Sequence, residues 1–277
     1  MNPVTNYTDY RAFLKDIIEE RKSAGLPCSN RWFAMKMEIN STSWLTSILN
    51  GQKGLSKITA NKLSGILKHS TSETRYFETL VAFNQAKTLK ERNRYYQELC
   101  SIQKLKNVSV LSSDQYEYYS NWYNSAIQSL IGMYRFKLIE EDISRVASMV
   151  SPAITVIQAK KSIALLEKLG LIKTDNKGFL EPLNTAITSG ENISSLAVAN
   201  FQQETMHLAQ EAIDRHPRKE RYIGTVTVGV STEVFEKIKQ LLIDTNNKIA
   251  EIANTDNNAD RVYQINLQAF PLSVKNK

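Results

Sequence analysis

Apolar residues recur at three- and four-residue spacing in one short run after another along this chain, and the runs are punctuated by helix caps. Tyr10, Phe13, Leu14, Ile17 and Ile18 share one face of a helical period, Lys15, Asp16, Glu19 and Glu20 the other, and Gly25 and Pro27 stop the run. The stretch "SNRWFAMKM" opens at Ser29 or Asn30 as N-cap and buries Trp32 or Phe33, Ala34 and Met37. A run from Lys57 to Leu67 supplies Ile58, Leu63, Ile66 and Leu67 to the same core. Capping boxes are spelled out further on, Ser70 with Glu73, Thr88 with Glu91 and Thr155 with Gln158. A chain patterned this way is expected to be mainly α.

Between the second and fourth of these runs stands "INSTSWLTSILNGQKG". Asn40 is the expected N-cap, Ile39 and Trp44 a hydrophobic staple, and Gly51 the stop. Residues 100° apart place Trp44, Leu45, Ile48 and Leu49 on an apolar stripe and Thr42, Ser43, Thr46, Ser47 and Asn50 opposite it. A helix, a short turn around Glu38–Asn40 and a second helix Ser41–Asn50 make a helix-turn-helix pattern, with Ser41–Asn50 as the expected recognition helix. Hydroxyls and amides can bond base edges or phosphates, while the cations stand around the helix: Arg31, Lys36, Lys53, Lys57 and Lys62. The first seventy residues hold ten Lys/Arg and five Asp/Glu, so most of the net +7 charge is concentrated there. That asymmetry favours double-stranded DNA as partner over a plain protein-docking face.

The segment "EEDISRVASMVSPAITVIQAKKSIALLEKLGLIKTDNKGFLEPL" predicts helix, helix and a small hairpin turning at Asp175–Gly178, a winged-helix-like unit. Lys160, Lys161, Lys173 and Lys177 form its possible second DNA-contact set; the alternative is a dimerisation or spacer module. Ahead of it, "DQYEYYSNWYNSAIQSLIGMY" reads as one aromatic helix. Tyr116, Tyr119, Trp122 and Tyr123 either pack as core or wall a pocket for a small-molecule effector. Past it come a long helix ending at Pro217, a strand in "RKERYIGTVTVGVS", a helix burying Phe235, Ile238, Leu241, Leu242, Ile249 and Ile252, and a strand in "RVYQINLQAFPLS". Pairing of those strands would make a small sheet that a second subunit or the aromatic helix could cover.

The expected organisation is therefore mainly α: a helix-turn-helix DNA-binding unit at 1–70, a helical connector at 71–135, a winged-helix-like unit at 136–190, and a C-terminal α+β sensing or dimerisation region with a small antiparallel sheet at 191–277. Cys28 and Cys100 offer no disulfide framework and no metal knuckle, and no apolar run reaches membrane-spanning length, which points to a reducing cytoplasm and no membrane partner. The three histidines are isolated, and no phosphate loop, GxSxG or HExxH occurs, so neither an enzyme nor a cofactor is expected.

The strings "YYSNWYNSAI", "SLAVANFQQETMHLAQEAIDRHPRKERYIGTVTVGVS" and "ADRVYQINLQAFPLS" resemble a family of bacterial conserved hypothetical proteins. The likeness runs from Tyr10 to Ser273. Its members are assigned as transcriptional regulators with a C-terminal domain of unknown function. The stretch "FAMKMEINSTSWLTSILNGQKGLS" is similar to the lambda-repressor type of helix-turn-helix, with Thr or Ser where charged residues usually stand on the reading helix. The resemblance implies DNA binding; it implies no ligand and no catalytic residue, and the regulator is expected to act as a homodimer. The alternative is a protein-interaction adaptor whose helix-turn-helix-like units are docking surfaces.

Overall fold

Helices build most of this protein, and Asp9, Ser29, Ser56, Ser70, Thr155 and Ser231 cap six of them with their side chains. The computed structural model describes residues 2–105, 111–183 and 191–275. The chain divides into two compact units, Met1–Ser120 with Ile187–Asn200, and Asn121–Ala186 with Phe201–Lys277.

In the first unit a 3₁₀ turn, Val4–Asn6, precedes α1 (Tyr10–Ser23), whose N-cap carboxylate Asp9 accepts from the amides of Arg11 and Ala12. Then come α2 (Asn30–Met37), α3 (Trp44–Leu49), α4 (Lys57–Ile66), α5 (Thr71–Gln85), α6 (Leu89–Leu105) and α7 (Leu111–Tyr119). Ser70 and Glu73 form the expected capping box at α5, and Thr88 and Glu91 bond reciprocally ahead of α6. One apolar core holds Phe13 and Leu14 of α1, Phe33 of α2, Ile48 of α3 and Leu63 of α4, together with Phe77 and Leu80 of α5 and Tyr96 of α6. Residues 71–105, expected within a connector, thus share the core of the helix-turn-helix segment, because α5 presents an apolar face that the four short helices leave open.

Three expectations for this unit are corrected. The recognition helix is the six-residue α3, not Ser41–Asn50; Ser43, not Asn40, precedes its first turn, and Ser41 and Ser43 bond each other's hydroxyls. Ser, Thr and Asn compete with helical hydrogen bonding through local bonds of this kind, so the hydroxyl-rich start stays a turn. Ile58 is 83% exposed instead of in the core, since it lies two residues, about 200°, from the buried Ala60. The aromatic helix is two helices, α7 and α8 (Tyr123–Met133), broken at Ser120–Trp122. The loop expected at 107–113 lies outside the described residues over 107–110, and α7 begins at Leu111.

The second unit continues from α8 into α9 (Glu140–Met149), α10 (Val156–Lys168), β1 (Ile172–Thr174) and β2 (Leu180–Pro182). The hairpin is antiparallel, with Lys173 opposite Glu181, and Gly178 in its turn adopts φ +81°, a left-handed conformation that glycine takes without strain. Thr155 and Gln158 make the expected box at α10. Phe136 accepts from the Leu180 amide and Lys137 bridges Phe179, so a third short segment lies along the hairpin. Helix, helix and hairpin follow one another in the expected order. The fold is mainly α with one small antiparallel sheet among the described residues.

Beyond it, α11 (Glu191–Arg215) and α12 (Thr232–Asn254) are present. The segments expected as C-terminal strands form no ladder, and α12 buries none of its residues. Period-two alternation makes a segment fit for a sheet, but its amides and carbonyls still need a neighbouring strand, and the described residues set none beside them.

The last turn of α5 organises the first unit. Gln85 accepts the Leu55 amide at 2.7 Å and donates to the Leu55 carbonyl at 2.8 Å, and a Cβ at Gly54 would come within 2.2 Å of Gln85 Oε1. Gln85→Ala removes both bonds and leaves a part-buried amide unpaired. The expected loss is ~1–3 kcal/mol in urea denaturation of the whole chain; a loss within error would mean that water replaces the side chain.

Candidate nucleic-acid interface

Backbone geometry delivers α3 to the surface. Glu38 ends α2 in the left-handed conformation at φ +57°, which reverses the chain within a few residues. Trp44, Leu45 and Ile48 then bury one side of α3. Arg11, on α1, donates from Nε to the Ile48 carbonyl at 2.9 Å, satisfying an end carbonyl of α3, and its guanidinium lies 4.6 Å from the Tyr10 ring centre. Gly51, at φ +76°, turns the chain out of α3, and the Ser47 carbonyl accepts from both Gln52 and Lys53.

The opposite side carries the expected polar set. Thr42, Ser43, Thr46 and Asn50 are exposed and Ser47 is half-buried. Thr46 accepts a 2.8 Å hydrogen bond from the Asn30 amide, which ties the start of α2 to this face. Arg31 and Lys36 on α2, Lys53 in the loop and Lys57 at the start of α4 are all exposed, and among the described residues none of the four makes an ion pair. Lys62 differs: it donates to Glu38 at 2.6 Å, and its ammonium holds the Glu38 carboxyl below the usual carboxylate range. The expected cation ring is therefore Arg31, Lys36, Lys53 and Lys57 without Lys62. Met35, 64% exposed, and Ile58 border it as apolar surface.

The residues that position this face escaped sequence reasoning. Gln85 and Gly54 hold the α3–α4 loop, and Asn84 accepts the Tyr10 amide and donates to the Thr8 carbonyl, each at 2.9 Å, fixing the entry into α1. Only their small or amide side chains hinted at this, because their partners lie 30 to 76 residues away.

In the second unit Lys160, Lys161, Lys173 and Lys177 are exposed, but Lys160 pairs with Glu140 and Lys173 with Glu181 at 3.4 Å. Half of this set is neutralised locally. Asp175 accepts from the Phe179 and Lys177 amides at 2.8 Å, which lowers its carboxyl and shapes the wing.

The aromatic set is divided. Tyr116 and Tyr119 belong to the first unit, Trp122 and Tyr123 to the second. The Tyr116 ring lies 4.3 Å from that of Tyr96, and its hydroxyl donates to Asn93 at 2.8 Å and accepts from Asn200 at 3.1 Å. Burial pushes the neighbouring Tyr118 hydroxyl up to about 12. The Trp122 amide donates to Glu204 at 2.9 Å, and burial raises the Glu204 carboxyl.

The sequence model of a family described as a domain of unknown function, DUF4423, matches residues 103–272, more than half of the chain. This chain belongs to that family. No curated protein and no solved structure matches it. The DUF4423 match covers the aromatic set, the hairpin and the C-terminal helices; the α1–α5 face lies before it.

Among the DUF4423 residues Glu204 offers a check on burial. A carboxyl raised on folding favours the folded chain at pH below its unfolded value and loses that contribution as pH rises through the folded value. Glu204→Gln keeps an acceptor for the Trp122 amide and removes the ionisation. Its denaturation midpoint is expected to equal or exceed that of the unsubstituted chain at pH 7, with a flatter pH dependence between about 4 and 7; a clear loss at pH 7 would show that the charged form is the stabilising one.

Proposed function

We propose that this DUF4423 chain is a DNA-binding transcriptional regulator, not an enzyme, that acts as a cytoplasmic homodimer and contacts duplex DNA through the α2–α3 face. The observation that carries the reading is an exposed hydroxyl and amide surface, Thr42, Ser43, Thr46 and Asn50, ringed by four cations that no carboxylate of the described residues neutralises. Cations on both sides of a polar helix suit the two phosphate strands that border a groove. A six-residue helix without Arg, Lys or Gln makes few base contacts, so the reading assigns affinity to the flanking cations and sequence preference to Ser43, Thr46 and DNA shape. The second unit, with half its lysines paired, is assigned a lesser part. A dimer would present two such faces about 34 Å apart along one turn of DNA.

Lys53→Glu is expected to weaken binding to all sequences in fluorescence anisotropy and to reduce the salt slope by roughly one counterion. Thr46→Ala is expected to change the ranking of target sequences more than the mean affinity. Binding by the Lys53 variant that equals the parent at every salt concentration would rule this geometry out.

A second reading, a protein-docking adaptor, draws support from Met35 and Ile58, whose exposed side chains border the same face. It predicts no retardation of genomic DNA fragments at low salt.

A further inference from the structure

From Met206 to Lys275 no residue is buried, although two helices and two alternating apolar segments lie in that span. Of the 23 exposed large hydrophobic residues among those described, 17 fall between Met206 and Val274, including Tyr222 at 94%, Val226 at 84% and Phe270 at 68%. Phe235, Ile238, Leu242 and Ile249 of α12 are half-buried, but seventy residues with none fully buried set little apolar burial against their conformational entropy, which favours cover by a further surface.

The two alternating segments show what kind of partner. Tyr222–Val230 and Val262–Phe270 contain no charged residue and no proline, and neither makes a backbone–backbone hydrogen bond. Free sheet edges are normally blunted by lysine, proline or a covering element; these segments carry no such protection. Residues 206–275 hold nine Lys/Arg and nine Asp/Glu, a net charge of zero in a chain of +7. Two copies of this span therefore meet without net repulsion, and a polyanion gains nothing there. The area also suffices. Complete burial of an aliphatic side chain removes roughly 60–120 Å² from water. Half of that from each of the 13 that lie on the two segments and α12 gives roughly 400–800 Å², which reaches the ~800 Å² per partner of a stable interface at its upper end.

We propose that Tyr222–Val230 and Val262–Phe270 pair antiparallel with the same segments of a second copy of this chain, and that α12 of each copy lies over the shared sheet. The arrangement is isologous: each copy gives two strands and one amphipathic helix, and a two-fold axis returns the same groups to the other. It gives an interface to the dimeric part of the functional reading, and oligomeric state tests it without reference to DNA.

The full-length chain is expected to sediment at twice its 31.5 kDa mass at micromolar concentration, with slow amide exchange across both segments. Val228→Asp, at a position exposed within one chain, is expected to weaken association at least tenfold, and Val228→Thr to keep the dimer. A monomer at 100 μM, a dimer whose segments exchange freely, or an undiminished dimer of Val228→Asp would each overturn the proposal. If Val228→Asp does not fold, exchange in the unsubstituted chain decides by itself. DNA retardation by a monomer would leave the functional reading standing and remove only this interface; a dimer that ignores DNA would do the reverse.

Discussion

Two amides at the end of α5 hold the first unit in its working arrangement. Asn84 satisfies the amide that opens α1 and the carbonyl before it, and Gln85 satisfies both polar groups of Leu55. Backbone groups that leave one helix and have not yet entered the next must find partners or lose them to water. Here one helix end supplies four such bonds to two distant segments. The loop after α3 is thereby fixed in place, Arg11 is brought to the Ile48 carbonyl, and the polar side of α3 faces outward. At the other end of the unit, Gln103 donates to the Thr5 carbonyl at 2.7 Å and to the Tyr76 hydroxyl at 3.2 Å, which itself donates to the Tyr7 carbonyl. Burial raises the Tyr76 hydroxyl far above its ordinary value, so it stays a proton donor across the whole working range.

Electrostatics separates the parts of the chain by role. The first seventy residues carry an excess of five cations, and four of those cations stand free around α3. The second unit returns part of its charge to itself through Lys160–Glu140 and Lys173–Glu181. Exposed pairs of this kind add little stability, but they reduce the field offered to an anionic partner. The last seventy described residues balance to zero and expose apolar groups instead. No helix among the described residues is long and apolar enough to cross a membrane.

Local chemistry was legible where it was self-contained. The three capping boxes, the stop at Gly51, the hairpin at Asp175–Gly178 and the core positions Phe13, Met37, Leu63 and Leu166 could all be read from neighbours within four residues. The polar side of α3 was legible for the same reason, since helical spacing sorts Thr46 from Trp44, Leu45 and Ile48, whereas Thr42 lies in the turn before the helix. Reading went astray wherever the deciding partner was remote or absent. Ile58 was counted as core although Ala60 takes the inner side; the aromatic run was read through the break at Ser120–Trp122; the valines of 226–230 were given a neighbouring strand that the described residues do not provide.

The sequence by itself determined that this protein is mainly helical, where most helices start and stop, and which side of each is apolar, because caps and periodicity act over a single turn. Tertiary structure alone decided that α3 is six residues long, that Lys62 is spent on Glu38 while Lys53 and Lys57 stay free, and that Gln85 governs a loop thirty residues before it. It also decided that no residue from Met206 to Lys275 is fully buried among the described residues. Those outcomes depend on which surfaces remain once the helices have packed, and that balance of burial and hydrogen bonding is written in no single segment.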